Sequence, residues 1–175
     1  MFKLTGLLGI LLVFTCALAM AEEAPKTAKA ELRNAQGQSV GKATFKQAGE
    51  GVKISVKVFN VPPGQHAFHI HAIGKCESPD FKTAGGHFNP RSMKHGLKNP
   101  AGPHAGDMPN ITVGQNGKGK ASLVNNRITL GPGANSLFHE GGTALVIHEK
   151  ADDDVTDPAG NAGNRMACGV IEKSK

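Results

Sequence analysis

His66-Ala-Phe-His-Ile-His71 puts three imidazoles within one short run, and two of them, His69 and His71, flank a single isoleucine. On a β-strand, residues i and i+2 point to the same face, with Cα atoms about 7 Å apart. His69 and His71 would then project together while Phe68 and Ile70 face a core, and two imidazoles so placed can converge on one metal ion. Gly85-Gly-His-Phe-Asn-Pro90 next sets His87 between glycines and an Asn-Pro turn. His95 follows in Lys94-His-Gly96, and His104-Ala-Gly-Asp107 adds an imidazole and a carboxylate. His87, His95, His104 and Asp107 together make a closed tetrahedral zinc set. Ala144-Leu-Val-Ile-His148 ends an apolar strand with one more histidine. The competing reading is a scatter of solvated histidines on wet loops.

The elements that must carry these residues are strands. Val52-Lys-Ile-Ser-Val-Lys-Val58 alternates strictly, the pattern of a half-buried strand. Residues 28–33 and 40–46 read as shorter strands before it, with turns at Asn34-Ala-Gln-Gly37 and Gly49-Glu-Gly51. Residues 111–113, 121–124, 143–149 and 168–171 continue the pattern, and no stretch has helical periodicity. An all-β fold follows, an antiparallel sandwich or barrel. Two long segments, 72–110 and 149–167, are rich in Gly, Pro, Asn and Asp. Loops of that length in a compact domain usually carry function. Six of the eight histidines lie in the first loop or beside an end of one.

The start of the chain reads as an address. Lys3, an apolar run from Leu7 to Met20 and the small-x-small Ala19-Met-Ala21 have the parts of a secretory signal peptide. The run is short for a membrane span of about 20 residues. The expected organisation is a signal at 1–21, a flexible leader at 22–29 and one domain at 30–175, exported to a periplasm or the cell exterior. Val13-Phe-Thr-Cys16 loosely matches a lipobox, which leaves a lipid anchor at Cys16 as an alternative. Without Lys3, 20 basic residues become 19 against 14 acids, a modest positive charge suited to small anions. The basic residues are scattered and the chain has no Trp or Tyr, which excludes a nucleic-acid surface. With Cys16 in the signal, Cys76 and Cys168 remain, and two cysteines in an exported chain suggest one disulfide, two free thiols being the alternative.

In their order, these motifs resemble the copper/zinc superoxide dismutase family. The resemblance spans residues 30–172 and includes Val146-Ile-His-Glu-Lys-Ala-Asp-Asp153 and Gly160-Asn-Ala-Gly-Asn-Arg-Met-Ala-Cys-Gly169. It implies a Greek-key antiparallel barrel or sandwich of about eight strands with long metal-binding loops. By position it implies copper, cycling between Cu(II) and Cu(I), on His69, His71, His87 and His148. It implies Zn(II) on His87, His95, His104 and Asp107, with the His87 imidazole shared between the two metals. Asp152 would accept hydrogen bonds from one histidine of each set. Arg165 would sit beside the copper and attract superoxide. Cys76 and Cys168 would match the family disulfide. His66 and His139 would not be ligands. The implied activity is conversion of superoxide to oxygen and hydrogen peroxide, protecting the cell envelope, by a monomer or homodimer. The alternatives are a non-enzymatic copper/zinc carrier of the envelope and a zinc-only sandwich.

One departure stands out. Only residues 154–159 separate Asp153 from Gly160, so the loop that often steers substrate is short here. Its charges, Asp154 and Asp157, repel an anion, which leaves Lys94 and Lys150 as the candidates for steering.

Overall fold

The computed structural model describes residues 24–174, and the expected signal peptide, its cleavage site and Cys16 lie outside them. Side-chain alternation builds the strands. In β3 (Gly51–Val58), Val52, Ile54, Val56 and Val58 are buried while Lys53 and Lys57 are exposed. The others are β1 (Thr27–Asn34), β2 (Ser39–Ala48), β4 (Gly64–His66), β5 (Phe68–His71) and β6 (Ile111–Val113). They are followed by β7 (Gly119–Asn125), β8 (Ala144–His148), β9 (Arg165–Val170) and β10 (Glu172–Lys173). Among the described residues the only helical turn is a 3₁₀ turn at Lys82–Ala84, and no helix is long and apolar enough to cross a membrane.

All pairings between strands are antiparallel, in the order β4-β6-β7-β3-β2-β1-β9-β8-β5, with β10 beside β1. The meander β1–β2–β3 with β9 returning beside β1 is a Greek-key arrangement. The two ends of the sheet, β4 and β5, are separated in sequence only by Ala67, so the sheet curls into a nearly closed barrel. Leu32, Phe45, Ile54, Phe68, Ile70, Leu145 and Ile147 fill it, each at most 1% exposed. Burial of one such side chain is worth roughly 1.5–3 kcal/mol.

β1 starts at Thr27, inside the stretch expected to be leader, because Ala28 and Ala30 already point into the core. β9 starts three residues earlier than its apolar pattern indicates, since Arg165 pairs across from His148. The short strands β4 and β10 have too few residues to show a period, and the sequence does not announce them.

The register sets up the site. In β5, Phe68 and Ile70 join the barrel core, and His69 and His71 face outward. In β8, Leu145 and Ile147 point in, while Ala144, Val146 and His148 share the outward face. His69 lies opposite Val146 and His71 opposite Ala144, so His148 is a diagonal neighbour of His69. This outer face is covered rather than wet, with His69 and His71 0% and 1% exposed. The cover is the 72–110 loop. Ile70 N–H donates to Gly106 O at 3.0 Å, Phe88 N–H to Ile70 O at 2.8 Å and Gly106 N–H to Phe88 O at 2.9 Å. Position 106 must be glycine, because a Cβ there would collide with the carbonyl oxygen of Ile70.

Candidate metal centre

Two donor sets meet at one histidine. His69, His71, His87 and His148 each bring a ring nitrogen within 4.8 Å of the others, and ring nitrogens of His87, His95 and His104 gather as closely with a carboxylate oxygen of Asp107. All the predicted ligands are therefore assembled on one face of the barrel.

Each imidazole of the first set has one nitrogen anchored and the other turned inward. His69 Nε2–H donates to Asp152 Oδ2 at 2.7 Å, and His71 Nδ1–H to Gly85 O at 2.8 Å. His148 Nδ1 faces Gly163 O at 3.4 Å, and His87 Nδ1 meets Asp107 Oδ1 at 2.9 Å. Of the inward nitrogens, His71 Nε2 and His148 Nε2 stand 3.3 Å apart, and His69 Nδ1 and His87 Nε2 are buried without any hydrogen-bond partner. Buried orphan polar atoms are costly and rare. Four convergent, lone-pair-bearing imidazole nitrogens fit Cu(II), which favours nitrogen donors in a tetragonal site.

The second set gathers around the Asp107 carboxylate. Asp107 Oδ1 lies 2.9 Å from His87 Nδ1, 3.1 Å from His95 Nδ1 and 3.4 Å from His104 Nδ1, and His87 Nδ1 lies 3.4 Å from His104 Nδ1. Donors bound tetrahedrally at 2.0–2.1 Å stand about 3.3 Å from each other, so these residues fit Zn(II) with little movement. Asp107 Oδ2 is held by the N–H groups of Gly96, at 3.0 Å, and His104, at 2.9 Å.

Asp152 joins the two sets. Its Oδ2 accepts from His69, and its Oδ1 accepts from His95 Nε2–H at 3.0 Å, which leaves both Nδ1 atoms as donors to metal. Asn110, which the sequence reading missed, clasps the Asp152 backbone. Asn110 Nδ2–H donates to Asp152 O at 2.9 Å, and Asp152 N–H donates to Asn110 Oδ1 at 2.8 Å. Gly160 has φ of 63° and packs so closely that a Cβ would strike the Asp152 carboxylate. Losing this carboxylate's orienting hydrogen bonds typically costs 10–100-fold in metal affinity. Asp152→Asn is expected to weaken zinc binding within that range, measured by competition with a chromophoric chelator. An unchanged zinc affinity would remove Asp152 from the account.

The electrostatics of the metal-free protein fit the same picture. Burial, then the neighbouring imidazoles, holds His87 down at about 4 and His148 at about 3, and pushes His71 well below the ordinary histidine range. Burial also disfavours a charged His95, yet hydrogen bonds and charge from Asp107 and Asp152 outweigh it and raise this group to about 10. Burial opposes ionisation of Asp107 and Asp152, but their hydrogen bonds from histidines hold both well below the usual carboxylate range. The proton between His95 Nδ1 and Asp107 Oδ1 thus occupies the place of a cation.

A stability profile follows. His71, His87 and His148 bind protons more readily when unfolded, so stability falls as pH drops from about 6.5 towards 4. Asp107 and Asp152 add to the loss below about pH 4. The His95 contribution is complete below about pH 6.5 and disappears as pH rises towards 10. The metal-free protein is therefore expected to melt at its highest temperature near pH 6–7, with a steeper fall on the acid side. A Tm that rises from pH 6.5 to 4.5 would contradict this.

Arg165 reaches back from β9. Its Nη1–H donates to Phe81 O and its Nη2–H to Gly85 O, both at 2.6 Å, and Gly85 O is also the anchor of His71. Burial lowers its pKa from the usual arginine value, offset in part by the Asp80 charge. It lines an open cavity of about 460 Å³ with Pro79, Asp80, Lys82, Gly163 and Asn164. Lys94 and Lys150 are the candidates for steering in the sequence. Lys94 pairs with Asp157 at 3.0 Å, and Lys98 pairs with Asp154 at 2.9 Å, so each of the two loop acids has a cationic partner. Lys82, the lysine lining the Arg165 cavity, is itself paired with Asp80 at 2.7 Å.

Cys76 and Cys168 form a disulfide that anchors the segment before Phe81 to β9. Phe81, Ala84, Ala144, Val146 and Cys168 pack beneath it as a small second core. His66 sits between two carbonyls, with Nδ1 3.0 Å from His148 O and Nε2 2.9 Å from Pro62 O, and belongs to neither donor set. His139 stacks on Phe88 at 5.1 Å and joins neither set.

A nearly closed antiparallel barrel carrying two histidine-rich donor sets that share one imidazole has the makings of a dinuclear metalloprotein. The family model for copper/zinc superoxide dismutase matches residues 39–171. Superoxide dismutase [Cu-Zn] 1 of Aquifex aeolicus is 54% identical over 82% of this chain and 86% of the relative. Superoxide dismutase [Cu-Zn] 2 of the same organism is 50% identical over 98% of this chain and 99% of the relative. The crystal structure of a superoxide dismutase-like protein from Bacillus subtilis superposes with TM-score 0.78 at 40% identity, covering 81% of this chain and 96% of that one. The chain belongs to the copper/zinc superoxide dismutase family.

Proposed function

We propose that this chain is an exported copper/zinc superoxide dismutase in which copper is held by His69, His71, His87 and His148, and zinc by His87, His95, His104 and Asp107. The observation that carries the reading is the orphaned pair His69 Nδ1 and His87 Nε2, which are buried, unpartnered and on the same side as the other two inward nitrogens. A histidine set kept only for structure would have those atoms hydrogen-bonded. The bacterial relatives named as dismutases and the disulfide support both the activity and the export.

Bound copper supplies one-electron chemistry, cycling between Cu(II) and Cu(I) so that one superoxide leaves as oxygen and the next as hydrogen peroxide. The residues do the rest. Arg165, fixed by two carbonyls beside His71, offers its guanidinium edge to a small anion. His87 keeps Nδ1 on the zinc side, so Nε2 is its atom for holding and delivering a proton towards peroxide, with water supplying the second proton. Asp152 fixes the tautomers of His69 and His95 throughout. The domain begins with β1 at Thr27, preceded by a cleaved 1–21 signal, and the mature protein works in the periplasm or outside the cell. A homodimer and a monomer both fit this chemistry.

The metal-carrier alternative predicts labile, softer ligands such as Cys or Met. The first donor set here is all imidazole and the second imidazole and carboxylate, and both are braced from behind. Stopped-flow decay of superoxide discriminates the two. Fast decay that needs copper and slows with added salt is expected from an enzyme with a cationic channel. Slow decay with both metals bound would favour the carrier.

A further inference from the structure

On the far side of the zinc ligands lies a second cationic concavity. A cavity of about 200 Å³ is lined by Arg91, Met93, Gly102, Pro103, Ala105 and Arg127. It contains two arginines and no acid. Arg127 commits Nε–H to His104 O at 3.1 Å and Nη2–H to Asp107 O at 2.6 Å, the carbonyls of two zinc-set residues. Asp107 is the acid whose charge Arg127 feels, but its Oδ1 is taken by imidazoles and its Oδ2 by two backbone N–H groups. Neither arginine makes an ion pair with an acid among the described residues. Arg127 Nη1 is left over for a ligand.

The walls are preformed. Asn89 Nδ2–H donates to Met93 O at 2.8 Å and Met93 N–H to Asn89 Oδ1 at 3.0 Å, which fixes the turn that carries Arg91. Asn125 Nδ2–H donates to Ala105 O at 2.8 Å, holding the opposite wall beside Arg127. Two guanidiniums in one acid-free hollow match a small tetrahedral oxyanion, because Arg91 offers its full fork of donors and Arg127 the Nη1 group that its carbonyl bonds leave over.

We propose that Arg91 and Arg127 form a binding site for a small oxyanion of the phosphate type, separate from the Arg165 channel, and that its occupancy stiffens the zinc loop. The coupling runs through Arg127, since the guanidinium that meets the anion is the one that holds the His104 and Asp107 carbonyls. An anion that fixes Arg127 slows the loop's opening, and with it zinc release.

The test uses the copper- and zinc-loaded protein and inorganic phosphate at low ionic strength. Calorimetric titration is run on the wild type, Arg91→Gln and Arg165→Gln, and zinc release to a chelator is timed with and without phosphate. The expected result is phosphate binding that weakens about 10-fold or more in Arg91→Gln and persists in Arg165→Gln. Zinc release should slow several-fold with phosphate in the wild type and not in Arg91→Gln. Arg91 lies outside the metal ligands and the channel, so its variant should fold and keep its superoxide activity. No binding to the wild type, or binding lost only in Arg165→Gln, would overturn the proposal. Because these readouts do not depend on superoxide, they stand apart from the fate of the dismutase reading.

Discussion

His87→Ala is expected to abolish superoxide decay, by more than the 10–100-fold that loss of an outer hydrogen-bond partner costs. The reason is geometric. His87 is the only residue common to both donor sets, with Nδ1 at the Asp107 oxygen and Nε2 buried among the other set's imidazoles. Its loss opens both sets at once, whereas His148→Ala opens only the first. The double effect is the distinguishing signature. His87→Ala should weaken zinc binding as well as destroy activity, while His148→Ala should destroy activity and leave zinc nearly unchanged. Metal content by mass spectrometry and rates by stopped flow check the pair. Activity in His87→Ala above about a tenth of wild type would mean that the shared imidazole is not central.

The second large effect concerns the disulfide. Cys76 and Cys168 are separated by 92 residues, and on the chain-entropy model closing so long a loop stabilises by about 4–5 kcal/mol. Replacing both cysteines by serine is expected to lower the stability of the metal-free protein by nearly that amount in denaturant titration. The consequence reaches the site, because the stapled segment supplies Phe81 O and Gly85 O, which orient Arg165, and Gly85 O also anchors His71. Activity per bound copper should therefore fall together with stability. A loss below about 1 kcal/mol with unchanged activity would show that the loop holds its place without the staple.

What could be read from the sequence follows the range of each interaction. The alternation in β3 and the His69/His71 pairing on β5 depend on a period of two and are local, and both donor sets lie in short, recognisable motifs. The burial of His69 and His71 was not legible, because it comes from a loop that folds back over β5 through Gly106 and Phe88. The grips of Asn110 on Asp152 and of Arg127 on the zinc loop join residues 42 and about 20 positions apart, and neither residue belongs to a motif. Charge was the least legible. Asp154 and Asp157 look repulsive in the sequence, and only the fold shows that Lys98 and Lys94 neutralise them. Ion pairing between distant loops has no local period to betray it.

In the proposed dismutase, two different metals sit side by side and share His87. Anomalous diffraction from crystals of the metal-loaded protein, recorded on both sides of the copper and zinc absorption edges, tests it most directly. The account predicts a copper peak among His69, His71, His87 and His148, and a zinc peak among His87, His95, His104 and Asp107. A single peak, or zinc alone at both places after loading with both metals, would contradict it.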